Sequence, residues 1–364
     1  MSNYIVIMAG GVGTRLWPLS RKSSPKQLQT FVGNQSMIQE TFDRVKEIVP
    51  VVNILISTNN RYKTQIMKQL PEIPENNYIL EPVSRNTAPA MGLIASYIIK
   101  RDSDAVITTL ASDHLVNNKE NFVSVIKAAF EVIDKNPEYI NTIGLKPTFA
   151  HTGLGYIEKS EKLKMKNEKL LNNVEVYNIK QFVEKPNLET AQKYVDSGNF
   201  FWNASYFTWQ AKNLLDIIKL HQPDIYIHLE KIIKAIGTDQ ENQVITDEFN
   251  LMPDLAIDYI VEQLDKVSLI PADLGWDDIG SWQVLQEIMA NLSGKNVIER
   301  GNHIGLDNKN CLVYAQDKLI ATVGLEDVII VDTPNATLIC HKNRSQDVKK
   351  IIDKLKEKGL EEYL

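Results

Sequence analysis

The order of apolar runs along this chain predicts an α/β fold: a Rossmann-like mixed, mostly parallel sheet flanked by helices, then a small β domain and a terminal helix. Three observations carry this reading. Short apolar runs alternate with helix-period segments through roughly the first 140 residues, the pattern of a parallel sheet with helices on both faces. A Gly-, Ser- and Pro-rich stretch over 10–25 follows the first run, at the carboxyl end of a strand, where open α/β sheets bind ligands. From about residue 296, short β-like runs recur every eight to nine residues or so between turn-formers.

Taken in order, residues 4–9 read as a strand buried on both faces. Ser36 to Gln39 is a capping box that opens a helix with Ile38, Phe42, Val45 and Val49 on one face. Residues 53–57 and 78–80 read as strands, with a helix over 62–70 between them. A helix over 87–100 places Met91, Ile94, Ala95 and Ile98 at helical spacing and tolerates Pro89 in its first turn. A strand at 105–110 and a helix at 122–134 follow. The texture then becomes mixed: strands at 140–145, 155–159 and 176–183, a Lys- and Asn-rich hairpin or loop over 160–173, a helix at 188–197, and a helical region from 211 to about 236. The later runs at 311–315, 319–323, 328–332 and 336–340 hint at stacked coils of the kind a short left-handed β-helix makes. The last helix sets Val348, Ile351, Ile352 and Leu355 on one face and stops at Gly359. The expected domains are 1–292 and 293–364.

A chain of 364 residues is long enough for two or three domains and a full core. Its net charge of −6 argues against nucleic acid or an anionic membrane as partner. It leaves anionic small molecules open, because a few placed Lys and Arg bind phosphates whatever the total. The two cysteines, Cys311 and Cys340, sit in apolar runs and read as core, with no disulfide framework or zinc pattern. The first residues have no basic leader, and no apolar stretch approaches the ~20 residues of a membrane helix. A cytoplasmic location is expected.

Gly10, Gly11 and Gly13, with Thr14 and Arg15, follow the first strand. Glycines let backbone amides approach a ligand and cradle phosphate. Arg15 adds a bidentate fork and Lys26 a point charge. The loop is no Walker A, since it lacks Gly-x4-Gly-Lys-Ser/Thr, and no dinucleotide fingerprint, since Leu16 stands where the third glycine belongs.

The run Gly-Gly-x-Gly-Thr-Arg-Leu-x-Pro-Leu, with Pro25-Lys26 some ten residues later, resembles the signature of the sugar-1-phosphate nucleotidyltransferases. The resemblance covers roughly residues 4–289, and further motifs narrow it to the mannose-1-phosphate guanylyltransferase branch. It implies transfer of GMP from GTP to mannose 1-phosphate with Mg²⁺. It also implies catalytic roles for Arg15, Lys26, Asp113, Lys185 and Asp278. Asp113, after Ser112 at a strand end, matches one magnesium ligand of the family; Asp at such a place is also commonly a helix cap. Trp276-Asp277-Asp278-Ile-Gly280 places the second ligand at Asp278, with Asp277 competing. In Glu184-Lys185-Pro186, the resemblance gives Lys185 the sugar phosphate and Glu184 sugar hydroxyls; alone, the two read as a solvated surface pair. Gly155 and Asn203 complete the sugar site it implies.

Glu81, ahead of Arg85, Asn86 and Thr87, lies in a stretch typical of the guanylyl branch. A carboxylate there can accept two hydrogen bonds from a guanine edge, while Asn86 or Thr87 also suits helix capping. The nucleotide set is thus Gly10, Gly11, Gly13, Thr14, Glu81, Asn86, Thr87 and Ser112. His114 and His151 read first as packing or capping residues. Dimerisation is implied by the resemblance alone. Some relatives carry a fused cupin-type isomerase domain; no His-rich cluster follows Asn296, so transferase activity alone is expected. The rivals are a nucleotidyltransferase for another sugar 1-phosphate and a non-catalytic nucleotide-sugar sensor.

Overall fold

The computed structural model describes residues 1–163 and 174–364. Most of the expected Lys- and Asn-rich loop lies outside the described residues. By packing, the chain divides into two compact units that do not follow chain order. The first comprises Met1–Gly10, Thr41–Ser112 and Val116–Trp276; the second comprises Gly11–Glu40, Asp113–Leu115 and Asp277–Leu364.

The first unit is built on a nine-stranded sheet. Its strands are β1 (Asn3–Met8), β2 (Ile54–Asn59), β3 (Tyr78–Glu81) and β4 (Val106–Ala111). After the two-residue β5 (Leu115–Val116) come β6 (Ile140–Leu145), β7 (Tyr156–Lys162), β8 (Tyr177–Val183), β9 (Phe200–Gln210) and β10 (Val267–Ala272). The sheet order is β3-β2-β1-β4-β9-β6-β10-β8-β7. Strands β3, β2, β1 and β4 pair in parallel, as their continuous apolar runs predict. Strand β9 runs antiparallel to both β4 and β6, which makes the sheet mixed.

Two of these strands escape the sequence reading for physical reasons. Strand β10 contains Pro271, which lacks the N–H that a central strand donates, yet it pairs in register with Gly144 of β6. Strand β9 is largely buried and rich in aromatics, with no polar alternation to mark it. The helices Thr87–Arg101, Ala211–His221 and Pro223–Ala235 pack into a common core with β1 and β4, centred on Val6, Ile94, Ile107, Trp209 and Leu229. The predicted helical region over 211–236 is thus two helices, separated at Gln222 before Pro223.

The second unit carries the loop at Gly11–Glu40 and the later chain. Ser36 and Gln39 form the expected reciprocal cap, with Ser36 N–H donating to Gln39 Oε1 at 3.0 Å. After β11 (Trp276–Asp277), a helix over Trp282–Ser293, unread in the sequence, is capped by the Ser281 hydroxyl. Then follow β12 (Ile298–Arg300), β13 (His303–Leu306), β14 (Leu312–Ala315), β15 (Ile320–Val323), β16 (Val328–Thr333) and β17 (Ala336–His341). Strands β12, β14 and β16 stack in parallel, as do β13 and β15. The registers His303↔Ile320, Lys309↔Glu326 and Leu312↔Ile329 share one offset, so the runs are successive coils stacked on one another. Strand β17 closes the stack antiparallel to β16.

Leu16, Trp17, Phe31, Trp282, Leu312, Ile329, Val348 and Ile352 form one apolar cluster in this unit. The terminal helix, Val348–Glu357, buries Val348 and Ile352, whereas Ile351 is exposed despite its expected place on the apolar face. Cys311 is buried as expected, but Cys340, in β17, is only half-buried. No helix among the described residues is long and apolar enough to cross a membrane.

Candidate active site

In the second unit the chain leaves the glycines and turns through a short helix at Thr14–Leu16. Gly13 adopts φ +71, and a Cβ there would collide with the Lys26 Cβ, so only glycine lets the loop close over the lysine stem. Trp282 donates its indole N–H to the Trp17 carbonyl at 2.9 Å and packs edge-on against Phe31, which fixes the turn from beneath.

Lys26 is nearly buried, and its ammonium donates to Asp113 Oδ2 at 2.8 Å and to the Asp278 carbonyl. Three residues far apart in sequence therefore meet at one nitrogen. Gly13, Thr14, Arg15, Lys26, Asp113, His114, Asp278 and Gly280 line a cavity of about 340 Å³, with Lys349 from the terminal helix. Burial alone would raise the Asp113 carboxyl, but Lys26 and His114 outweigh it and hold the group below its ordinary value. Asp113 therefore presents an ionised carboxylate, 32% exposed, to the cavity.

The two neighbouring aspartates are placed differently. Asp277 Oδ1 accepts the Ile279 N–H at 2.6 Å, and burial pushes its carboxyl up to about 6. Asp278 lines the cavity instead. Ile279 sits at φ +41, an outlier for a β-branched residue, and strain of this kind collects at functional sites. Among the described residues, no three His, Cys, Asp or Glu side chains cluster as a metal group. Two carboxylates on one cavity nevertheless fit magnesium, which takes one or two protein carboxylates and completes its shell with water and phosphate oxygens.

The first unit places the remaining candidates. Glu81 is buried; its Oε1 accepts the Ser57 hydroxyl at 2.8 Å, and its carboxylate lies about 3.9–4.0 Å from where a Gly10 side chain would begin. Burial raises this carboxyl, opposed by the Ser57 bond. Ser112 is buried, its N–H given to the Met8 carbonyl at 3.1 Å. Asn86 Oδ1 accepts the Thr87 N–H, and Thr87 Oγ1 accepts the Ile257 N–H at 2.8 Å. These two residues therefore cap and brace the helix they open.

Gly155, Glu184 and Asn203 come together. A Cβ on Gly155 would meet Glu184 Oε2 at 2.9 Å, and the Gly155 carbonyl accepts the Asn203 N–H at 2.9 Å. Lys185 pairs with Glu184 on the surface and takes φ +42. Sequence reasoning missed Asp258, whose Oδ1 accepts from Asn203 Nδ2 at 2.7 Å and from the Ser205 hydroxyl at 3.2 Å. Burial raises its carboxyl, against those two bonds. Nothing in the local sequence distinguishes it from a residue starting a helix. His151 accepts the Gly153 N–H at 2.9 Å and packs against Phe149 and Trp202.

Comparison with known proteins identifies the family. A nucleotidyl transferase family model matches residues 4–295, and a MannoseP isomerase/GMP-like beta-helix domain model matches 301–355. A mannose-1-phosphate guanylyltransferase of Salmonella montevideo is 37% identical over 99% of this chain and 75% of its own length. One of Escherichia coli K12 is 36% identical over 99% of this chain and 75% of its own length. A Thermus thermophilus crystal structure, described as a mannose-1-phosphate geranyltransferase, superposes with a TM-score of 0.85 at 25% identity. It covers 98% of this chain and 100% of its own. The chain is thus an enzyme of the sugar-1-phosphate nucleotidyltransferase family and belongs to its mannose-1-phosphate guanylyltransferase branch.

Proposed function

We propose that this enzyme transfers GMP from GTP to α-D-mannose 1-phosphate, releasing pyrophosphate and forming GDP-mannose. The observation that carries the reading is the meeting of Lys26, Asp113 and Asp278 under the glycine turn. The curated relatives' names supply the substrates.

The acceptor brings its own nucleophile, a phosphate oxygen already ionised at neutral pH. No general base is needed, and the site has to supply alignment and charge neutralisation. The sugar-phosphate oxygen attacks the α-phosphorus of GTP in line; a new P–O bond forms as the bond to pyrophosphate breaks, and the leaving group carries off the electron pair. In this reading the Gly11 and Gly13 amides, Arg15 and Lys26 hold the triphosphate. Lys185 holds the sugar phosphate; Glu184, Asn203 and the close approach at Gly155 position the sugar. Asp113 and Asp278 would hold Mg²⁺, which when bound supplies neutralisation of phosphate charge. Lys26 keeps Asp113 ionised and in place.

The test is pyrophosphate release from a panel of nucleoside triphosphates and sugar 1-phosphates. GTP with mannose 1-phosphate should give the highest kcat/KM. A clear preference for another pair would overturn the substrate assignment.

Glu81 is assigned to the guanine edge, whose paired N–H donors adenine does not present. Glu81→Gln should lower the GTP-over-ATP ratio of kcat/KM about tenfold or more, because a mismatched buried polar contact discriminates strongly. An unchanged ratio would remove Glu81 from base recognition.

A further inference from the structure

Of the residues that line the Lys26 cavity, Lys349 has no place in the chemistry assigned so far. It comes from the terminal helix, far along the chain from the glycine loop, and no sequence motif marks it. Its surroundings single it out. Lys26 is already committed to Asp113 and the Asp278 carbonyl. Arg15 and Lys349 are the lining cations that make no hydrogen bond or ion pair among the described residues. Its neighbours Lys350 and Arg344 both pair with Asp347, which leaves the Lys349 ammonium on the cavity wall without a partner among the described residues.

The helix is held where it stands. Val348 and Ile352, on either side of Lys349, are buried in the cluster that contains Leu16 and Trp17. The helix packs against the Thr14–Leu16 turn. Trp17 donates its indole N–H to the Tyr363 carbonyl at 2.7 Å, so the residues beyond the helix grip the same turn. The loop that bears Gly13 and Arg15 and the helix that bears Lys349 therefore have a fixed relation.

We propose that Lys349 is a binding residue for the pyrophosphoryl end of the nucleoside triphosphate, and for the pyrophosphate that leaves. The claim rests on the triphosphate occupying this cavity, as in the reading above. Lys26 shares its charge with Asp113, so Arg15 and Lys349, which have no partner among the described residues, add the uncommitted charge that a polyanion needs beside it. The β-coil unit would then supply a cation to the reaction through its closing helix.

The test uses the full chain with Lys349→Ala and Lys349→Arg, assayed in both directions. Lys349→Ala should raise the KM for GTP, and for pyrophosphate in the reverse reaction, about tenfold. The KM for mannose 1-phosphate and the melting temperature should hold within about twofold and about two degrees of wild type. Lys349→Arg should restore most of the loss, which a merely structural role for the stem would not require. Unchanged KM values for GTP and pyrophosphate would overturn the proposal, as would an equal rise for mannose 1-phosphate. Calorimetric titration with pyrophosphate separates this claim from the substrate assignment. Weaker binding by Lys349→Ala than by wild type supports it whatever sugar the enzyme prefers, and equal binding refutes it.

Discussion

Lys26→Ala should lower kcat by at least about a hundredfold, the loss expected when one preorganised charge donor is removed from a phosphoryl-transfer site, about 2.7–4 kcal/mol. The geometry makes the figure a lower bound. The Lys26 ammonium is the common partner of Asp113 Oδ2 and the Asp278 carbonyl, so its removal strips charge from the site and frees both groups. Breaking this part-buried pair from one side also leaves Asp113 without its counter-charge, at a stability cost below the about 3–5 kcal/mol of a fully buried pair. Lys26→Met separates the two effects. It keeps the stem against Gly13, so a folded, inactive Lys26→Met enzyme assigns the loss to charge. Activity within tenfold of wild type in this variant would contradict the assignment.

Asp113→Ala should cost kcat at least about a hundredfold as well, for a related reason. Its carboxyl is held below its ordinary value by Lys26 and His114, so it is an anion available to a hard cation across the neutral range. Removing it should also raise the magnesium concentration needed for half-maximal rate, and by more than Lys26→Ala does, because Lys26 positions the ligand whereas Asp113 would be the ligand. The double variant should lose much less than the product of the two single losses, because the two side chains act as one unit. Near-normal turnover by Asp113→Ala would refute the metal assignment.

What the sequence reveals is what a local pattern can encode. The apolar runs β1 to β4 and the helices between them follow from period and capping, and the box at Ser36–Gln39 forms as read. The glycines at 10, 11 and 13 advertise a ligand loop by composition alone. Pairing partners carry no such mark. That β9 would turn against β4 and β6 is a property of the whole sheet, and Pro271 in β10 argues locally against the strand it forms. The site divides in the same way. Lys26, Asp113 and Asp278 stand in motifs, whereas Asp258 and Lys349 are singled out only by what lies beside them in space. Asn86 and Thr87, placed with the nucleotide from the sequence, have side chains engaged in helix capping and bracing.

The most direct test is a crystal structure of the enzyme with GTP and Mg²⁺. The account predicts triphosphate oxygens within hydrogen-bond distance of the Gly13 amide and Arg15, and a cation on the carboxylates of Asp113 and Asp278. A nucleotide whose phosphates lie away from this cavity, or a cation bound by neither aspartate, would contradict it.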